Sequence, residues 1–119
     1  RLHPAAGALA ARLALGLQVR DTLDSLNRTV NAMLVARRGL SPAKRAQLDR
    51  DLGSAVQLDI HSSEGDLLHE TRLRDHLAFL MNELDTAYDK PTAAEYQTYG
   101  ELRDQAAALD DRWKTLSSR

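Results

Sequence analysis

The chain has 119 residues, a formal net charge of −1, 43% hydrophobic and 4% aromatic residues, and no cysteine. Such a length builds one domain with a real core and is too short for two, while the missing cysteines remove disulfides, thiolate metal sites and cysteine nucleophiles. With so few aromatic side chains the core has to be made of Leu, Ala and Val, a composition that suits helices.

The first predicted helix runs over about 5–38. Leu9, Leu13, Val19, Leu23, Leu26, Val30 and Met33 form its apolar stripe, Gly7 and Gly16 weaken its first part, and Gly39 ends it. Its apolar start, from Ala5 to Val19, carries Arg12 and is shorter than the roughly 20 apolar residues a membrane span needs, so it reads as a buried helix. The chain begins at Arg1, which suggests a processed product or a piece of a longer protein. Asn27-Arg28-Thr29 matches a glycosylation sequon, but its place inside a helix gives it no weight.

A second helix is expected over about 42–60, opened by Ser41 as N-cap with Pro42 in the first helical position, and continued through Leu48, Leu52 and Val56. His61-Ser62-Ser63-Glu64-Gly65 breaks the pattern. The third helix follows over about 66–88, with Leu73, Leu77, Leu80 and Leu84 on one face. Pro91, and a capping box of Thr92 with Glu95, mark the start of the fourth, over about 92–117. It carries Tyr96, Tyr99, Leu102, Ala106, Leu109, Trp113 and Leu116, with Gly100 as a point of helix weakness or close approach. Short connections between consecutive helices predict an all-α, antiparallel up-down four-helix bundle.

Charge is uneven along the chain. Residues 1–60 hold nine Lys/Arg against five Asp/Glu, and residues 61–119 hold seven against twelve. This admits a basic surface for nucleic acid or anionic lipid. The basic half has no aromatic side chain and no continuous basic stripe, which favours basic helices neutralised by acidic neighbours.

The tests for chemistry give little. His69-Glu70 opens like a zinc-protease motif, but Leu73 stands where the second histidine belongs. His69 and His76 share a helical face and could hold a metal with Asp66 or Glu70; amid charged residues they read instead as solvated. Asp59 and Glu70 fit the ends of a calcium loop, whose turn position is Glu64 rather than glycine and whose third position is His61. Asp49 with Asp51, and Asp110 with Asp111, point to different helix faces and cannot flank one bond. No nucleophile elbow or phosphate loop is present, so no catalytic, cofactor or metal residue is expected. Tyr96, Tyr99 and Trp113 are the candidate partner contacts, Trp113 being the one most readily absorbed by the core.

Leu67-Leu68, the run Arg72-Leu73-Arg74-Asp75-His76-Leu77-Ala78-Phe79-Leu80, the turn Asp89-Lys90-Pro91-Thr92-Ala93, and the spaced Tyr99, Leu102 and Trp113 resemble the helical C-terminal region of bacterial proteins with BNR or VPS10-like (sortilin-like) propeller repeats. Those proteins are often labelled glycosyl hydrolase or sialidase-like. The resemblance covers the last half of the chain well and the first helix loosely, and its motif is a leucine pattern with an Asp-x-Pro-Thr turn. It implies a terminal helical module of a longer exported or periplasmic protein, packed on its propeller or on partner helices. No Asp-box pattern occurs here, so it carries over no catalytic residue. The expected role is a noncatalytic accessory or interaction module; a helical adaptor or coiled-coil dimer and a metal- or ligand-binding bundle are the alternatives.

Overall fold

The computed structural model of the chain describes residues 4–56, 72–87 and 89–118. Their regular structure is entirely helical: α1 (Pro4–Ala36), a short 3-10 turn (Arg37–Gly39), α2 (Pro42–Ala55), α3 (Leu73–Thr86) and α4 (Ala93–Ser117).

Local chemistry accounts for the helix ends. The Ser41 hydroxyl accepts from the Lys44 amide at 3.3 Å, and Pro42 occupies the first turn of α2, where its missing N–H is not needed. At α4 the Glu95 amide donates to the Thr92 hydroxyl at 3.1 Å and the Thr92 amide donates to the Glu95 carboxylate at 2.8 Å, a complete capping box. Three expected boundaries shift. Continuation of α2 to residue 60 fails at Val56, which is extended and buried, so its branched side chain enters the core from outside the helix. Arg72 is extended, so α3 begins at Leu73, where the Asp75 carboxylate accepts from the Arg72 amide; the expected start at 66 lies outside the described residues. The far end of α3 is Thr86, whose hydroxyl turns back to the Asn82 carbonyl, with Ala87 extended; Tyr88 lies outside the described residues.

The core joins Leu15, Val19, Leu26, Val30 and Met33 of α1 to Leu48, Leu52 and Ala55 of α2, the four α3 leucines at 73, 77, 80 and 84, and Tyr99, Leu102 and Leu109 of α4. Leu9 and Leu13 are corrected out of the first stripe: both are exposed, and Leu15 takes the buried position. At about 100° per residue, Leu13 lies on the far side of the helix from Leu15, so the two cannot share a face.

Two cross-links give the direction of the long helices. Thr22 meets Tyr99, and Thr29 donates to Asp110, so residue numbers rise together along both partners. α1 and α4 therefore run side by side in the same direction, whereas a strictly alternating four-helix order would oppose them. α3 lies along the first half of α1, where Met81 and Leu84 come up against Leu13 and Leu17. α2 sits at the other end, with Asp49 on Arg37 and Asp51 on Arg112.

Candidate functional site

The three candidate contact residues on α4 meet different fates. Tyr96 is 49% exposed. Tyr99 is only 9% exposed; its phenol lies 2.9 Å from the Thr22 hydroxyl, also donates to the Gln18 carbonyl at 3.4 Å, and carries the Arg103 guanidinium 5.8 Å above its ring. These bonds tie it into the α1–α4 seam, which corrects its expected place on a contact surface. Trp113 is half-buried against the core and lines a shallow hollow with Ser25, Arg28 and Ala32 of α1.

Polar groups between α1 and α4 are spent on holding the helices together. Thr29 donates to Asp110 at 3.2 Å, and Asp110 pairs with Lys114 at 2.8 Å, which holds the lysine ammonium above its ordinary range. Asp51 is buried and is satisfied by Gln47 at 3.1 Å and Arg112 at 3.3 Å. Arg37 grips Asp49 through two bonds at 2.8 and 2.9 Å, a bidentate fork that also raises its pKa. Each pair joins two helices or two turns of one helix.

At the α3–α4 turn, Glu83 and Glu95 share a hydrogen bond. That bond raises the Glu83 carboxyl, with burial and the charge of Glu95 adding to it. Glu95 moves the other way, first because the Thr92 amide donates to it and second through the same bond to Glu83. His76 lies on the same side of α3 as Glu83 and is exposed. His69, Asp66 and Glu70 lie outside the described residues, and among the described residues no three metal-binding side chains converge.

The largest departure from the expected surface is on α1. Leu9, Leu13 and Leu17 are 46%, 58% and 50% exposed, at four-residue spacing, along a groove of about 320 Å³ whose other wall is Met81 and Leu84 of α3. Arg12, Gly16 and Arg20 lie between and beside the leucines. Four-residue spacing over three turns was the available signal. α1 is apolar on two faces, and only one of them can enter a core built with these neighbours.

No helix among the described residues is long and apolar enough to cross a membrane. No family model matches the chain, and no curated protein or solved structure is significantly similar to it.

Proposed function

We propose that the chain is a noncatalytic helical interaction module, and that its working surface is the first half of α1. The observation that carries this reading is the exposed row Leu9, Leu13 and Leu17. Single exposed leucines are ordinary, but three in one line beside a groove form an apolar strip of the kind that marks a docking site. The resemblance to helical C-terminal regions of propeller-repeat proteins suggests the setting, an exported protein whose own propeller or whose partner helices cover the strip.

The same reading includes an arrangement. α2 and α3 have 14 residues each against 33 in α1, so each spans less than half its length. We infer that they share one leg of the bundle, α2 covering the late part of the α1–α4 pair and α3 the early part, in place of four full-length alternating helices.

A photo-cross-linking amino acid at position 13, introduced in the producing cell, tests the functional reading. A discrete protein adduct is expected at position 13 and none at exposed Glu101 on α4. Equal labelling at both positions, or none at either, removes the interaction reading.

A further inference from the structure

The basic half of the chain is only partly neutralised. Between Asp24 and Asp49 the sequence has no acidic residue, yet it carries Arg28, Arg37, Arg38, Lys44 and Arg45. The acids that reach this end of the molecule are taken up by other partners. Asp49 is held in the Arg37 fork, Asp51 by Gln47 and Arg112, and Asp110, with the charge of Asp111 beside it, by Thr29 and Lys114. Arg45 donates to the carbonyls of Arg37, Arg38 and Leu40, all at 3.3 Å, which fastens the first turn of α2 to the end of α1 and offsets that helix's negative pole. Arg28, Arg38, Lys44 and Arg50 remain without a paired carboxylate among the described residues. Residues 25–56 hold six Lys/Arg against two Asp/Glu and residues 110–118 two against two, a net +4 at this end; the other described residues hold six against nine, a net −3. Val35 stands among these cations. It is 83% exposed, more than any other large apolar side chain of the described residues, and Leu34 beside it is 40% exposed. Arg28 lies seven residues before Val35 and Arg38 three after it, so both flank it along one face of α1 and the turn that continues it.

We propose that this end of the molecule rests on an anionic lipid surface. Val35 and Leu34 enter the headgroup layer, and Arg28, Arg38 and Lys44 lie among the lipid phosphates. The make-up of the patch favours this occupant. A protein interface is poor in lysine at its centre and rich in aromatic side chains and Met, whereas this surface sets two aliphatic side chains among four cations and exposes no aromatic. Nucleic acid answers the cations but gains nothing from a projecting Val35, and there is no ring here on which a base could stack. A headgroup layer answers both at once, since it supplies phosphates in any arrangement and an apolar boundary just beneath them. The distribution of charge over the 61 Å body also fixes a posture. An extended anionic surface attracts the +4 end and repels the remainder, so the molecule stands on the α1–α2 corner.

Flotation of the full chain with vesicles of mixed phosphatidylglycerol and phosphatidylcholine, against phosphatidylcholine alone, tests this. Binding to the anionic vesicles should be at least about tenfold tighter than to the neutral ones and should weaken as salt is added. Arg38→Glu combined with Lys44→Glu should reduce it at least about tenfold, and Val35→Ser, which leaves every charge in place, about threefold or more. These side chains lie outside the core, so the melting temperature should hold in each variant. The chain has no cysteine, so Val35→Cys accepts a single environment-sensitive fluorophore. Its emission should shift to the blue on anionic vesicles, and the same label on Glu101→Cys should not respond. Equal binding to both vesicle types, binding that survives the charge reversal, or a silent label at position 35 overturns the proposal. Tighter binding to a DNA duplex or to polyglutamate than to the vesicles assigns the surface to nucleic acid or to an acidic protein and overturns it. Self-association lost on the charge reversal assigns it to a second copy, with the same result. The strip at Leu9, Leu13 and Leu17 is tested separately, by the cross-link at position 13.

Discussion

Glu95 is the residue where local structure and charge meet most closely. It closes the α4 capping box through the Thr92 amide and shares a bond with Glu83 across the turn. Because folding holds Glu95 below the ordinary carboxylate range, its contribution is present above the unfolded value and is lost as pH falls through the folded one. Glu83 is raised, so its contribution has the opposite sign: present below the unfolded value and lost as pH rises through the folded one. Glu95→Gln keeps a capping side chain and removes the acid-sensitive group. The melting temperature of the variant should therefore fall less than that of the parent between about pH 6 and pH 3, and curves that run parallel would refute this account. Thr92→Ala strips the other half of the box and should cost about 1 kcal/mol at neutral pH, read by denaturant unfolding. Both residues were legible in the sequence because a capping box is a local signal, complete within four positions. The Glu83–Glu95 bond was not, since it needs the turn geometry that sets α3 against α4.

At the scale of the element, α3 and α1 show what periodicity can and cannot decide. Leu73, Leu77, Leu80 and Leu84 are all buried, as their spacing required, because α3 has one apolar face and polar residues on most of the remainder. Phe79 stands outside that face and is 62% exposed. Leu77→Ala should destabilise the fold by roughly 2–5 kcal/mol through loss of buried contacts and a cavity, whereas Phe79→Ala should stay within about 0.5 kcal/mol. Equal losses in chemical denaturation would mean that the assignment of faces on α3 is wrong. α1 resists the same reasoning because apolar residues ring its first half. The phase of Val19, Leu26, Val30 and Met33 extends back to Leu15, while Leu9 and Leu13 belong to a different side. Keeping one helical angle through the whole stripe, rather than accepting any three- or four-residue step, separates the two faces from sequence alone. What lies over the second face is a property of the neighbours, and no spacing within α1 contains it.

For the whole molecule the direction of the helices matters most. The principal extents are 61 × 37 × 19 Å and the radius of gyration is 17.3 Å, against about 13.5 Å for a compact domain of this length. Such an elongated body follows from two long helices lying side by side with shorter ones on them, and it explains why the first half of α1 keeps an open flank. Short connections predict alternating directions, and the six-residue connection between α3 and α4 is short enough for that rule to apply. It gives no such constraint between α2 and α3, whose ends are separated by residues 56–72. Parallel α1 and α4 make a prediction that needs no partner and no ligand. The chain has no cysteine, so pairs can be introduced without competing thiols. Thr29→Cys with Asp110→Cys should be joined rapidly by a short bismaleimide, because these side chains already meet at 3.2 Å. Thr29→Cys with Thr98→Cys should react slowly: Thr98 is one residue from Tyr99, which sits on Thr22, about 10 Å along α1 from Thr29. An antiparallel pair of first and last helices reverses the order of these two rates, so faster linkage to position 98 than to position 110 would overturn the parallel seam and the shared-leg arrangement built on it.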